Sequence, residues 1–128
     1  MLGGVAVEIA EGHRALYHAA LSHAANHLVT LLSGASDALR AAGADKPGAL
    51  LAPLVRAALE NSLARGFDAL SGPLLRGDGD MIARHLAALA RDCPGLLPAY
   101  RAMALATLDG LARAGKNPPP ELRALVTR

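Results

Sequence analysis

From Ala15 to Ser36 the chain runs for twenty-two residues without an Asp, Glu, Lys or Arg. A stretch of that length either crosses a bilayer core of about 30 Å or forms a helix whose faces are covered by protein. His18, Ser22, His23, Asn26, His27 and Thr30 interrupt it, and much of its apolar content is weakly hydrophobic Ala, so no membrane span is expected. Tyr17, Leu21, Leu28 and Leu32 recur at helical spacing. Ala15, Ala19, Ala20, Ala24 and Ala25 leave the surface between them shallow, so that another helix can approach closely.

The same economy of side chains holds throughout. Of 128 residues, 29 are Ala and 24 Leu, while Tyr17, Phe67 and Tyr100 are the only aromatics. Ala and Leu are strong helix formers, and the scarcity of Val and Ile argues against a sandwich or barrel. The expected fold class is all-α, one domain with one core. An apolar fraction of 52% is too high for a disordered chain. A net charge of +2 and the lack of stacking aromatics exclude a nucleic-acid surface. Cys93 is the single cysteine, which rules out an intrachain disulfide and favours a reducing compartment. With no basic, apolar leader at the N-terminus, a cytoplasmic location is expected.

Residues 1–10 read differently, because Val5, Val7 and Ile9 alternate with Ala6 and Glu8 after a Gly-Gly turn. They are expected to be a strand-like stub, with the helical domain occupying residues 11–128. The spacing predicts helices over residues 11–32, 35–42, 49–65, about 80–91, 97–114 and 121–126, punctuated by Gly34, Gly43, Gly66, Cys93-Pro94-Gly95, Gly115 and Pro118-Pro119-Pro120. Pro53 falls in the first turn of the third of these helices, and Asp78 or Asp80 caps the fourth.

No nucleotide-phosphate loop, CxxC, HExxH or GxSxG motif occurs. His23 and His27 share a helix face and could hold two positions of a metal, yet a third ligand is not evident. The expected reading is a polar strip with no metal. His18 and Asn26, two turns apart on nearly one side, could hydrogen-bond a substrate, with the imidazole able to donate a proton near neutral pH. The competing reading is that both satisfy neighbours in a helix interface. Asn61 sits in mid-helix, where Asn is a poor helix former, for a structural hydrogen bond or a ligand. Arg76, in the Gly-rich segment, is the candidate anion anchor because a guanidinium grips a carboxylate or phosphate at two points, although Asp78 could neutralise it. His85 is expected to be solvated or at the core edge.

Tyr17-His18-Ala19-Ala20 leading to Ala25-Asn26-His27-Leu28-Val29, then Leu59-Glu60-Asn61, then Leu70-Ser71-Gly72-Pro73 with Arg76-Gly77-Asp78 and His85-Leu86, form a familiar succession. It resembles the C-terminal helical domain, number 2520 among the domains of unknown function, of bacterial Rossmann-like proteins, and covers about residues 2–114. The resemblance implies a bundle of five to six helices of the 6-phosphogluconate dehydrogenase C-terminal-like type, similar to the helical halves of pyrroline-5-carboxylate and ketopantoate reductases. It further implies a homodimer formed through the helical domain, and an N-terminal Rossmann domain binding NADP, of which residues 1–10 would be the tail. This chain itself carries no cofactor-binding residue and no lysine on its first or third helix of the kind hydroxyacid dehydrogenases use as proton donor. The resulting expectation is a dimerisation and substrate-cleft domain of an NAD(P)-dependent 2-oxo acid or imine reductase, not catalytic alone. Arg76 would be the carboxylate anchor, His18 the proton donor, and Asn26 and Asn61 the orienting groups. The alternative is a non-catalytic helical interaction or scaffold domain.

Overall fold

The computed structural model describes residues 8–127. Every regular element among them is helical, as composition requires: α1 (Arg14–Ala41), α2 (Pro47–Arg65), the single turn α3 (Pro73–Arg76), α4 (Gly79–Asp92), α5 (Leu97–Arg113) and α6 (Pro120–Thr127), with 3-10 turns at Glu11–His13, Gly66–Ala69 and Pro94–Leu96. Of the strand-like stub, residues 1–7 lie outside the described residues, and Glu8–Ala10 have no regular structure.

Two expected helices prove to be one. Gly34 was the expected stop, yet α1 continues through it for 28 residues. A Cβ at Gly34 would meet Leu96 Cδ1 at 2.6 Å, so the glycine is there to admit a neighbouring side chain. The helix ends at Gly43, with φ 100°. There the Ala44 N–H donates to Leu39 C=O and the Gly43 N–H to Arg40 C=O, the paired closure that demands a left-handed residue. The end of α5 closes with the same bond pattern at Gly115. The second helix starts two residues earlier than the spacing predicts, because Pro47 occupies its first turn. Pro53 consequently lies inside α2 rather than in its first turn.

The described residues divide after Ser33 into two units. In the first, the part of α1 up to Ser33 buries no side chain. In the second, the packed core is Ile82 of α4, Ala104, Leu108 and Leu111 of α5, and Leu122 and Val126 of α6. Leu70, Leu74, Leu86, Leu105 and Leu125 seal its rim. The α4 contribution follows from its sequence, since Ile82, Leu86 and Leu89 recur on one face among charged residues. Asp109 and Arg123 pair across α5 and α6 at the surface, a contact worth well under about 1 kcal/mol beside the apolar core. Gly110 is buried because the Phe67 ring lies directly on it; a Cβ there would meet the ring at 2.7 Å. That contact ties the turn after α2 to α5.

Leu108 is 1% exposed at the centre of this core. Leu108→Ala is expected to lower the unfolding free energy by about 2–5 kcal/mol, the cost of lost burial plus the cavity left behind. Urea titration followed by circular dichroism checks this, and a loss below about 1 kcal/mol would show that α4, α5 and α6 do not share a core.

Candidate functional site

The polar side chains of α1 form a row at four-residue intervals: His18, Ser22, Asn26 and Thr30, all exposed. Asn26 Nδ2 donates to Ser22 Oγ at 2.9 Å, and the Thr30 hydroxyl reaches back to the Asn26 carbonyl at 3.5 Å. Asn26 therefore keeps its Oδ1 free as an acceptor, held in place by the serine one turn before. His18 has no side-chain partner among the described residues. The row is uncharged, so its directional groups are hydrogen-bond donors and acceptors without a field of fixed charge.

Arg76 ends the one-turn helix α3, and the local sequence explains why it is available. Pro73 starts the turn, and Gly77 follows in left-handed conformation (φ 68°) while its missing Cβ leaves room for Pro119. The Asp78 N–H donates to Pro73 C=O, which reverses the chain into α4. The Asp78 carboxylate then accepts from the Met81 N–H at 3.1 Å and caps α4. Asp78 thus serves as the cap of α4 and makes no ion pair with Arg76. Among the described residues no carboxylate pairs with Arg76, and its guanidinium is exposed.

Asn61 lies on the exposed length of α2, and the structural hydrogen bond considered for it is not formed among the described residues. His18 and Asn26 belong to the first unit, and Asn61 and Arg76 to the second. No hydrogen bond joins Asn61 to Arg76. All four share one property: their polar ends face solvent, where a ligand or another protein surface can reach them.

One polar pair in the second unit was not legible in the sequence. His85 of α4 is half-buried, with Nδ1 2.8 Å from Tyr100 Oη of α5 and the two rings edge to face. Burial pushes the Tyr100 phenol above its ordinary value, so it remains protonated at neutral pH. A phenol donating to Nδ1 places the imidazole proton on Nε2. On the next residue, Arg101 Nη1 is buried without a partner, a cost that only an acceptor outside the described contacts would relieve. His85 and Tyr100 are fifteen positions apart, and only helix pairing brings them together. No group of three or more His, Cys, Asp or Glu side chains among the described residues is placed to hold a metal. No helix among them is long and apolar enough to cross a membrane, consistent with the polar interruptions of α1.

These features define an all-α domain with a small apolar core and a long helix whose charge-free run, Ala15 to Ser36, carries hydrogen-bonding groups. The family model of a domain of unknown function, DUF2520, matches residues 1–107, and the chain belongs to that family. Neither the curated proteins nor the solved structures contain a match to it.

The Tyr100 phenol has a folded value above its unfolded one. The stability it contributes is fully present below about pH 10 and is lost as pH rises through the folded value. Unfolding free energies measured between pH 8 and 11 should therefore fall with rising pH, and fall less steeply in Tyr100→Phe. Parallel curves for the two proteins would show that burial does not act on this phenol. Asp78→Ala should cost about 0.5–2 kcal/mol in the same titration at neutral pH, and Asp78→Asn much less, because Asn caps equally well.

Proposed function

We propose that the chain is a dimerisation and substrate-cleft domain of an NAD(P)-dependent reductase-like protein. The observation that carries the reading is α1. None of its side chains is fully buried, and from Arg14 to Leu31 every residue is exposed, Leu16 to 69% and Val29 to 67%, with Tyr17, Leu21, Leu28 and Leu31 also in solvent. A single helix gains its stability mainly from packing an apolar face, so one that presents leucines without charges is made to be covered. In the second unit, α2 repeats the condition with Leu50, Leu54, Leu59 and Leu63, of which Leu63 is 77% exposed. Covering such rows with a second copy follows the two-fold logic of most homo-oligomers, at about 25 cal/mol per Å² of apolar surface removed from water.

In this reading Arg76 anchors a substrate carboxylate, the role that a free, exposed guanidinium suits. His18 is the proton donor, and Asn26, held by Ser22, orients the substrate together with Asn61. A small 2-oxo acid such as ketopantoate fits the anchor. The described residues contain no strand leading into a glycine-rich turn and so offer no dinucleotide cradle. In this reading NADP is held by an N-terminal Rossmann domain. Here the domain is not catalytic alone and works in the cytoplasm. The second reading, a helical interaction module, shares the exposed faces of α1 and α2 but gives no role to Arg76.

Light scattering across a tenfold concentration range should give twice the 13.1 kDa chain mass, and Leu21→Glu with Leu28→Glu should reduce it to a single chain. A well-folded monomer at all concentrations would remove the dimer reading. In a protein carrying a Rossmann domain, Arg76→Ala should weaken 2-oxo acid binding at least tenfold more than NADP binding. Equal loss of both, or of neither, would favour the interaction module.

A further inference from the structure

His23 and His27 stand outside the polar row just described. They lie one turn apart on the border between the leucines of α1 and its Ser22–Asn26–Thr30 side, and both are exposed. Their rings meet edge to face, with centroids 4.7 Å apart and the two Nδ1 atoms 2.8 Å apart. The contact is a hydrogen bond between the rings, and it shows that the helix brings the two nitrogens to within the span of two adjacent ligands on one cation. With metal–nitrogen bonds of about 2.0–2.1 Å, a right-angle bite spans about 2.9 Å and a tetrahedral one about 3.3 Å.

We propose that His23 and His27 form a two-nitrogen chelate on α1 for a divalent transition cation of the Ni²⁺ or Cu²⁺ type, with water filling the remaining positions. Three observations support it together. The helix fixes the spacing, because residues four apart are neighbours on one face and the backbone from Arg14 to Ala41 is continuous. The uncharged run from Ala15 to Ser36 places no Lys or Arg beside the pair to repel a cation. Imidazole is the borderline ligand these cations prefer, and no carboxylate of the same run competes with it. The proton of the Nδ1–Nδ1 contact moves to Nε2 of its own ring when the cation takes both Nδ1 atoms, so two neutral imidazoles serve as ligands without net proton release. The proposal does not depend on the dimer reading, since both ligands come from one chain.

The test is isothermal titration of the full 128-residue chain with Ni²⁺ alone, in a non-coordinating buffer at pH 7.5, against four variants. One saturable site per chain is expected, weakened at least tenfold by His23→Ala and by His27→Ala, and left unchanged by His13→Ala. The fourth variant combines Ala25→His with His23→Ala, which keeps the number of histidines but changes the spacing from four to two and creates no new pair three or four residues apart. It should bind as weakly as His23→Ala. Because the substituted side chains are all exposed, helicity by circular dichroism should be equal in all five proteins. Absence of saturable binding, or wild-type affinity in either single alanine variant or in the spacing variant, would overturn the chelate.

Discussion

The interdigitation of α4, α5 and α6 around Leu108 holds the second unit together. Ile82, Leu108, Leu111, Leu122 and Val126 are each 2% exposed or less, and all come from the C-terminal third of the chain or just before it. Leu70 and Leu74 pack against this cluster from outside it, and smaller contacts join further parts of the unit: Phe67 on the bare backbone of Gly110, Pro119 beside Gly77, Leu96 against Gly34. At each of these joints a glycine meets a larger neighbour. A chain with so few aromatic rings cannot fill gaps with bulk, and it brings its backbones closer instead.

Fold class was legible because Ala and Leu dominate and the punctuation by Gly and Pro is strong. Helices α4, α5 and α6 end within about two residues of where their spacing places them, since Asp78, Pro94, Gly115 and Pro120 act locally. The α1 reading failed at Gly34 for an instructive reason. Glycine ends a helix only when its φ turns positive, as at Gly43, and nothing in the neighbouring sequence shows that Gly34 instead receives Leu96 from sixty residues away. Long-range packing of this kind leaves no local mark.

The candidate site was legible in part. His18, Asn26, Asn61 and Arg76 could be singled out by residue type, and all four present their polar groups outward. Whether Asp78 neutralises Arg76 could not be read from two adjacent charges; it depends on the turn of α3, which sends the carboxylate to the Met81 N–H. The His85–Tyr100 pair arises from the α4–α5 pairing, and neither it nor the unpartnered nitrogen of Arg101 had a sequence signal.

If α1 is covered by a second copy as proposed, its charge-free length also bears on the life of the chain before that happens. Surface segments usually carry Lys, Glu or Asp as gatekeepers that discourage promiscuous sticking, and none stands between Arg14 and Asp37. A newly made chain therefore offers its leucines to any apolar surface it encounters. Its solubility in the cell would then depend on how quickly synthesis supplies whatever covers α1, and surplus copies would be the natural substrates of chaperones and proteases.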